Sequence, residues 1–593
     1  MNKVLKNSIM GMGTNMIYLI TRLLITPIIL SFISLKEFGL WSICFVIISY
    51  IGLTGSGIGN AYITYTAKFY TEGNKEKINQ LISSGTVFLG VTSIVLYSLV
   101  YFYIDLILSF FKIENLVFYN TAKVLILGSV IAFLIELTFE GFENFFEGIQ
   151  EFVTTRTIWI ATNFLEIFLS IIFLFNGFGV KSLLYAYLIK AIVKVSLHYI
   201  YMHKYIKPKF MFSFNILKEI FRFASKVQIL SIIGIFMTTF NQLVVANILG
   251  LKQTGLFELG RKLPQKGASI AGGAFISFMP AAAEILKNNT TKNENHNNTD
   301  ERRTKIYIKL VGLGIYIGAL TVFFHLIYTE AYKFKNIRIS GYSFILLSGV
   351  SLFFMASGFV GFRNYLLKGD SEHIENIKLK KLYLNGNRYI SLLTFYLFVF
   401  LIFFAHEILY VWIGRNDWMI TATMIIFSFS IMTNLNTGVG SSIMRGVNKP
   451  EYEIEYAVLN FVLAIFWIIS FTLLFGIVGA AMGTALSTIV SSIYFILRIN
   501  RNFKIEITEY YEKTLKYPLV IFLIGGVLSL LLSLFRVENR WIGLAVLGSK
   551  FLIYTVVIYL TLKYYFKLEE ISRLERKIRK LLGKEKIYEG EKK

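Results

Sequence analysis

Arg22 stands in the middle of a long apolar segment, Ser8 to Ile33, with no other charge near it. A charged side chain at mid-bilayer costs about 2.5–3.5 kcal/mol on insertion scales, so such a group faces a cavity or a partner. A guanidinium is a planar fork of donors that suits a carboxylate or a diphosphate. Two readings follow for Arg22: an interhelical pair with Glu136, Glu140 or Glu166, or an anion site. Lys190 and Lys194 are four residues apart and share one helical face, where like charges repel unless an anion or carboxylates lie between them. A lumen-facing anion site is favoured there over snorkelling towards the interface. Arg261, Lys262 and Lys266 form a basic approach to an apolar run beginning at Ala268, placed either to release an anion or as a solvated loop end. Glu136, Glu140, Glu143 and Glu147 follow a 4, 3, 4 spacing that aligns four carboxylates on one face, and Glu151 extends the run. That face could bind a coupling ion, H+ or Na+, or line the cytoplasmic mouth and pair with basic side chains; the pairing is favoured.

The elements that position these residues are set by composition. Of 593 residues, 55% are hydrophobic and only 16% charged, with a mean hydropathy of +0.61. A soluble domain carries about a quarter charged residues, so the chain is expected to be an all-α polytopic membrane protein. Sixteen runs reach spanning length. Six are Ser8–Ile33, Leu40–Asn60, Leu81–Ile104, Ala122–Glu140, Ile158–Phe175 and Ser182–Met202. Eight follow: Ala224–Leu249, Ala268–Ala283, Ile306–Tyr328, Gly341–Phe362, Tyr389–Trp412, Ile420–Val439, Ala457–Phe475 and Ile477–Leu497. Pro518–Phe535 and Trp541–Tyr564 close the series. The first run is too long for a signal-peptide core and is expected to stay as a membrane helix.

The net charge of +24 would suggest nucleic acid in a soluble domain, but in a membrane protein basic loops set orientation. No nucleic-acid partner is expected. With a cytoplasmic N-terminus, alternate loops together with the helix ends beside them carry 41 basic residues inside and 14 outside, which supports N-in, C-in and an even number of helices. Cys44, the single cysteine, lies in an apolar run and excludes internal disulfides. The chain has no HExxH, CxxC or Walker A pattern, so metal-assisted hydrolysis, ATP-driven pumping and a cofactor are not expected.

Two halves of the chain repeat. Phe38-Gly39-Leu40-Trp41 matches Thr254-Gly255-Leu256-Phe257 at an offset of 216, and Glu147-Gly148-Ile149-Gln150 matches Arg445-Gly446-Val447-Asn448 at 298. Gly179 corresponds to Gly476 at 297. The jump between offsets places an insertion, holding an Asn-rich loop and two helices, inside the second half. Removing it leaves two six-helix lobes of the same orientation, the geometry of carriers built from parallel repeats around a central site.

These landmarks make the chain resemble the polysaccharide flippases, the Wzx-type O-antigen and oligosaccharide exporters. Their superfamily, the MOP exporters, also holds the multidrug and toxic-compound extruders (MATE) and the lipid II flippases. The resemblance rests on Phe38-Gly39-Leu40-Trp41 with the run Gly52–Ala61, Asn144–Phe152, Ile248-Leu249-Gly250, Gly255-Leu256-Phe257 and Arg261-Lys262-Leu263-Pro264. It continues through Pro280-Ala281-Ala282-Ala283-Glu284, Leu382-Tyr383, Asn387-Arg388-Tyr389 and Arg445-Gly446 with Lys449-Pro450, covering most of residues 1–497 in order. It implies a MATE-like fold and a carrier, not an enzyme, that moves an undecaprenyl-diphosphate oligosaccharide across the bacterial plasma membrane by alternating access. Arg22, Lys190, Lys194, Arg261, Lys262, Lys266 and Arg388 become candidate substrate contacts, and Glu136, Glu140, Glu166 and Asn241 candidate ion-coupling positions. Asn241 stands where many relatives carry an acidic residue, which counts against ion coupling there.

The expected organisation is a first lobe (1–205), the start of the second (206–285), the insertion (286–378), the rest of the second lobe (379–500), a helix pair (501–566) and a basic amphipathic cytoplasmic tail (567–593). Expected partners are the polyprenyl-diphosphate glycan, membrane lipids and a glycan polymerase or glycosyltransferases. A small-molecule exporter of the same fold is the first rival, favoured by an acidic or apolar lumen. A membrane glycan polymerase or ligase is the second, disfavoured by the short outer loops.

Overall fold

The computed structural model describes residues 21–113, 116–272, 275, 278–287, 377–447, 449, 451–533, 535 and 539–566. The start of the first expected helix, the inserted pair at 306–328 and 341–362, the Asn-rich tract and the basic tail lie outside these residues. Among the described residues there is helix and no strand.

The first half runs α1 (Thr21–Phe32), α2 (Leu35–Gly52), α3 (Ser56–Thr71), α4 (Lys75–Phe102), α5 (Ile104–Phe110), α6 (Leu116–Thr138), α7 (Glu140–Gly148), α8 (Phe152–Phe175) and α9 (Lys181–Met202). The second runs α10 (Phe214–Leu249), α11 (Leu251–Gly272), α12 (Phe278–Lys287), α13 (Ile377–Phe403), α14 (Ala405–Ile413), α15 (Trp418–Leu435), α16 (Gly438–Gly446) and α17 (Glu451–Asn502). The helices α18 (Ile507–Leu532) and α19 (Arg540–Tyr565) follow. Ten helices among the described residues are long and apolar enough to cross a membrane; the longest, α17, reverses at Gly476 (φ 61°) into two arms. Lipid-length helices are the expected form because a bilayer offers backbone groups no water to bond.

Local sequence sets the helix ends. Ser34 accepts from the Glu37 backbone N–H at 3.2 Å while the Glu37 carboxylate takes the Ser34 N–H at 2.8 Å, a reciprocal cap that starts α2. Asn74 accepts from Lys77 N–H at 2.9 Å to start α4, and Asn539 accepts from Trp541 and Ile542 N–H to start α19.

The halves repeat element by element. A long helix followed by a short one occurs as α4–α5 and α13–α14, and as α6–α7 and α15–α16. The matched glycines of the sequence repeat meet in space: a Cβ on Gly39 would fall on the Leu251 carbonyl oxygen, and one on Gly255 would fall on that of Leu35. Only glycine permits α2 and α11 to cross this closely. Gly148 against the Ile63 carbonyl and Gly446 against the Met279 carbonyl form a second such pair of contacts.

The link between the halves is an extended strap zipped onto α4. Lys207 O, Lys209 N and O, Met211 N, and Ser213 N and O bond in turn to Asn79, Ser83 and Ser84 at 2.8–3.2 Å. Every second residue uses its backbone, as in a strand, which leaves Phe210 and Phe212 exposed between them. At the other end of the chain, α18 and α19 dock on α13 and α14 through Gly525 against Val399, Tyr554 Oη donating to Tyr396 O at 2.9 Å, and Lys550 Nζ on Glu407 at 2.7 and 2.8 Å.

The chain divides into two compact units: 1–282 with 381–498 and 506–593, and 283–380 with 499–505. In the smaller unit Lys380 Nζ donates to Lys504 O at 3.4 Å. Three expectations shift. The eighth helix, read as Ala268–Ala283, is α11, which begins at Leu251 and ends at Gly272 before α12; its polar sequence hid it because it faces protein instead of lipid. The second span begins at Leu35 and breaks at 53–55, so Ser56–Asn60 belong to α3. The acidic run is interrupted at Phe139, between α6 and α7.

Candidate functional site

Five helices bring the first half's intramembrane charges into one alternating file. Arg22 of α1 donates through Nη2 to Glu166 Oε2 of α8 at 2.6 Å and lies 3.4 Å from Asn163 Oδ1. Lys190 of α9 reaches the same Glu166 oxygen at 3.3 Å and Glu136 of α6 at 3.9 Å. One turn on, Lys194 lies 3.1 Å from Glu136 and 2.7 Å from Glu143 of α7. Of the three partners open to Arg22, Glu166 is the one it takes. The space between Lys190 and Lys194 holds carboxylates, which removes the repulsion their spacing creates. Glu166 is almost fully buried, so the pairing has to be near complete for the charges to persist in a low-dielectric interior.

The file ends in a small cavity lined by Glu136, Phe139, Glu140, Glu143, Lys194, Val195 and His198. Glu147, beyond it on α7, lies 3.6 Å from Arg156 of α8.

The second cluster lies on α11. Arg261, Lys262 and Lys266, read from sequence as the basic start of the eighth helix on the outer side or a solvated loop end, are interior residues of α11, and Pro264 lies within the same helix. Arg261 is buried: its guanidinium donates to Glu258 at 2.5 Å, Thr238 O at 3.1 Å, Asn241 Oδ1 at 3.4 Å and Gln242 Oε1 at 2.8 Å. A loop end would have left it hydrated; four acceptors in place of water explain its burial. Lys262 points the other way, towards the first half. Its ammonium donates to Thr26 Oγ1 of α1 at 2.8 Å and stands 5.4 Å over the Phe38 ring. Thr26 in turn donates to the Arg22 carbonyl at 2.8 Å, so Arg22 and Lys262 sit one helical turn apart across the join of the halves.

The remaining candidates lie elsewhere. Asn241 bonds Arg261 and approaches Thr484 of α17 at 3.4 Å. Arg388 of α13 rests over the Tyr517 ring of α18 at 5.1 Å, apart from the file. Sequence reasoning did not single out Glu258, Asn163, Thr26 or His198; Glu258 is the i,i+3 partner of Arg261 on α11, a spacing the sequence shows once α11 is read as a helix, whereas only packing between helices gives the other three a role. Among the described residues no group of three or more His, Cys, Asp or Glu is arranged to hold a metal.

The fold matches that of the lipid II flippase MurJ in an inward closed conformation, with a TM-score of 0.60 at 12% identity over 94% of this chain and 99% of that one. This is a multi-pass membrane protein with a fold like that of MurJ and the MATE transporters. An inward-facing multidrug resistance MATE family transporter of the MOP superfamily matches with a TM-score of 0.50 at 14% identity, over 84% of this chain and 96% of the other. Residues 28–299 match a family described as polysaccharide biosynthesis protein. No curated relative matches the chain by sequence. The two matched structures are, respectively, a flippase and a transporter. The all-α, MATE-like reading of the sequence agrees with the structure.

Proposed function

We propose that the chain flips an undecaprenyl-diphosphate-linked oligosaccharide, an O-antigen or other surface-polysaccharide repeat unit, from the inner to the outer leaflet of a bacterial plasma membrane. The observation that carries this reading is Lys262. Among the described residues no carboxylate lies within ion-pair distance of its ammonium, which donates to the Thr26 hydroxyl and stands over the Phe38 ring, beside Arg22 where the halves meet. An interior cation with no carboxylate in ion-pair contact is a place for an anionic ligand, and a diphosphate supplies charge and acceptors together. Arg22 has its own carboxylate in this conformation, so it would join a diphosphate by exchanging Glu166 for it. Arg261 and Asn241 hold α10 and α11 in register and fit positioning better than contact with cargo.

The halves would rock about the Gly39–Gly255 crossing, with H+ or Na+ as the coupling ion. A glycan polymerase or glycosyltransferases are the partners such a carrier would hand to or receive from. The rival small-molecule exporter needs an acidic or apolar cavity where the halves meet, and Lys262 argues against it. The test is the leaflet distribution of lipid-linked oligosaccharide in a deletion strain given back wild type, Lys262→Ala or Arg22→Ala. Inner-leaflet accumulation rescued by wild type and not by the variants supports the proposal. Unchanged glycan pools with sensitivity to cationic dyes would replace it with the drug-exporter reading.

A further inference from the structure

We propose that Glu140 and His198 form a proton-binding site in the first half, and that its occupancy controls the contact between α3 and α10. The charge file supplies the first reason. Arg22, Lys190 and Lys194 are matched by Glu166, Glu136 and Glu143, and Arg156 is matched by Glu147. Glu140 is left over: it lines the same cavity, forms no ion pair among the described residues, and its Oε1 is buried with no hydrogen-bond partner. His198 supplies the second. It is 1% exposed, its Nδ1 bonds the Lys194 carbonyl at 2.9 Å, and its Nε2 has no partner in the cavity that Glu140 also lines. With Nδ1 as the donor, Nε2 is a bare acceptor. A proton taken up from solvent neutralises the surplus carboxylate, and the bare Nε2 is a second acceptor in the same cavity.

The groups facing Glu140 are Glu136 from α6, Glu143 and Glu147 on its own helix, Lys194 and His198 from α9, Arg156 from α8 and Tyr62 from α3. From α4, Tyr62 is met by the neutral Gly85 and Thr86. Every cation in this set is already engaged, so the surplus negative charge needs a proton to neutralise it or water to solvate it.

The link to the second half runs through α3. The Glu140 carboxylate lies against its first turns: a Cβ on Gly55 would stand 3.5 Å from Oε2 and one on Gly59 3.7 Å from Oε1. Between them, Gly57 presses on α10, where a Cβ would stand 2.6 Å from the Ala224 carbonyl oxygen. The same two turns of α3 therefore touch the proton site and the second half. Deprotonation leaves a buried, unneutralised carboxylate, which is relieved by hydration as α3 withdraws. Acid closes the α3–α10 contact and alkali opens it. This gives the coupling ion of the proposed transport an identity, and it rests on that reading only for its use, since it is measurable without cargo.

The test uses the full chain carrying Cys44→Ser, with spin labels at Tyr70→Cys on α3 and Lys218→Cys on α10, in lipid nanodiscs without substrate. The expected result is a longer label separation at alkaline than at acid pH. Glu140→Gln should abolish the response and hold the short distance. His198→Asn should move the midpoint by about one pH unit or more. Glu143→Gln, which frees Lys194 to neutralise Glu140, should move it towards acid. A wild-type distance that does not change with pH, or a Glu140→Gln variant that responds as wild type does, overturns the proposal. If Glu140→Gln fails to fold, the wild-type titration and the Glu143→Gln shift decide. Loss of glycan flipping with this titration intact would sink the transport reading alone; flipping with no titration would sink the proton site alone.

Discussion

The two halves share one scaffold and differ in what they bury. At the offsets of the repeat, Glu136, Glu143, Lys190 and Lys194 of the first half correspond to Asn434, Ser441, Ser487 and Ser491 of the second. There the side chains are satisfied without ions: Asn434 donates across to the Tyr456 hydroxyl of α17, while Ser487 bonds Thr484 O at 2.9 Å and Ser491 bonds Ser487 O at 2.7 Å within their own helix. The second half and the closing helix pair keep charged pairs of their own at other positions, Glu455 with Arg498 at 3.7 Å, Glu258 with Arg261 at 2.5 Å and Glu407 with Lys550 at 2.7 Å. The fold therefore does not need the file of ions. Charges that the scaffold can do without, and that cost desolvation to bury, are best explained by what they bind or release.

The largest effect that would break this comparison is on stability. Lys194→Ala strands Glu136 and Glu143 together and should cost about 3–5 kcal/mol, read as a lower unfolding midpoint in detergent. Its repeat counterpart Ser491→Ala should cost less than about 1 kcal/mol. Equal losses would mean that the two halves do not differ as described. Next in size are Gly39→Val and Gly255→Val, each forcing α2 and α11 apart at a cost of about 1–3 kcal/mol. Because the two glycines are symmetry counterparts, the two losses should agree; a large disparity would show that the crossing is not a shared pivot. Asn434→Ala should cost about 0.6–1.7 kcal/mol, well below Glu136→Ala, which leaves Lys194 and Lys190 each short of a carboxylate. Smallest in stability is Lys262→Met, since no carboxylate loses a partner. It should leave the unfolding midpoint near wild type yet reduce flipping at least about tenfold, the equivalent of one charge-assisted hydrogen bond. A stability loss as large as that of Lys194→Ala would show Lys262 to be structural.

Much of this arrangement was legible from residues. The apolar runs located the lipid-facing helices, and Arg22 announced a partner by standing alone in one of them. Glu166 was among three choices, since sequence cannot say which of several buried carboxylates faces a given helix. The repeat was visible in Gly39 and Gly255, although nothing in the spacing said that the two would touch. What escaped was α11, whose Lys, Gln, Thr and Arg residues read as a loop because hydropathy reports exposure to lipid and this helix has almost none. His198 escaped for the opposite reason: a lone histidine on an apolar helix has no partner in sequence, and its bare nitrogen shows only once α6, α7 and α9 enclose it.

The reversal at Gly476 bears on how the chain reaches the bilayer. The two arms of α17 are joined by a single glycine, and Gly479 and Gly483 bring the second arm against the Phe471 and Trp467 carbonyls of the first. No lysine or arginine lies between Phe461 and Leu497. Nothing hydrophilic has to be carried across at this turn, so the two arms can leave the insertion machinery as one prefolded hairpin, with Glu455 and Arg498 meeting at its open end. A charge introduced beside Gly476 would act during synthesis, before any transport cycle begins.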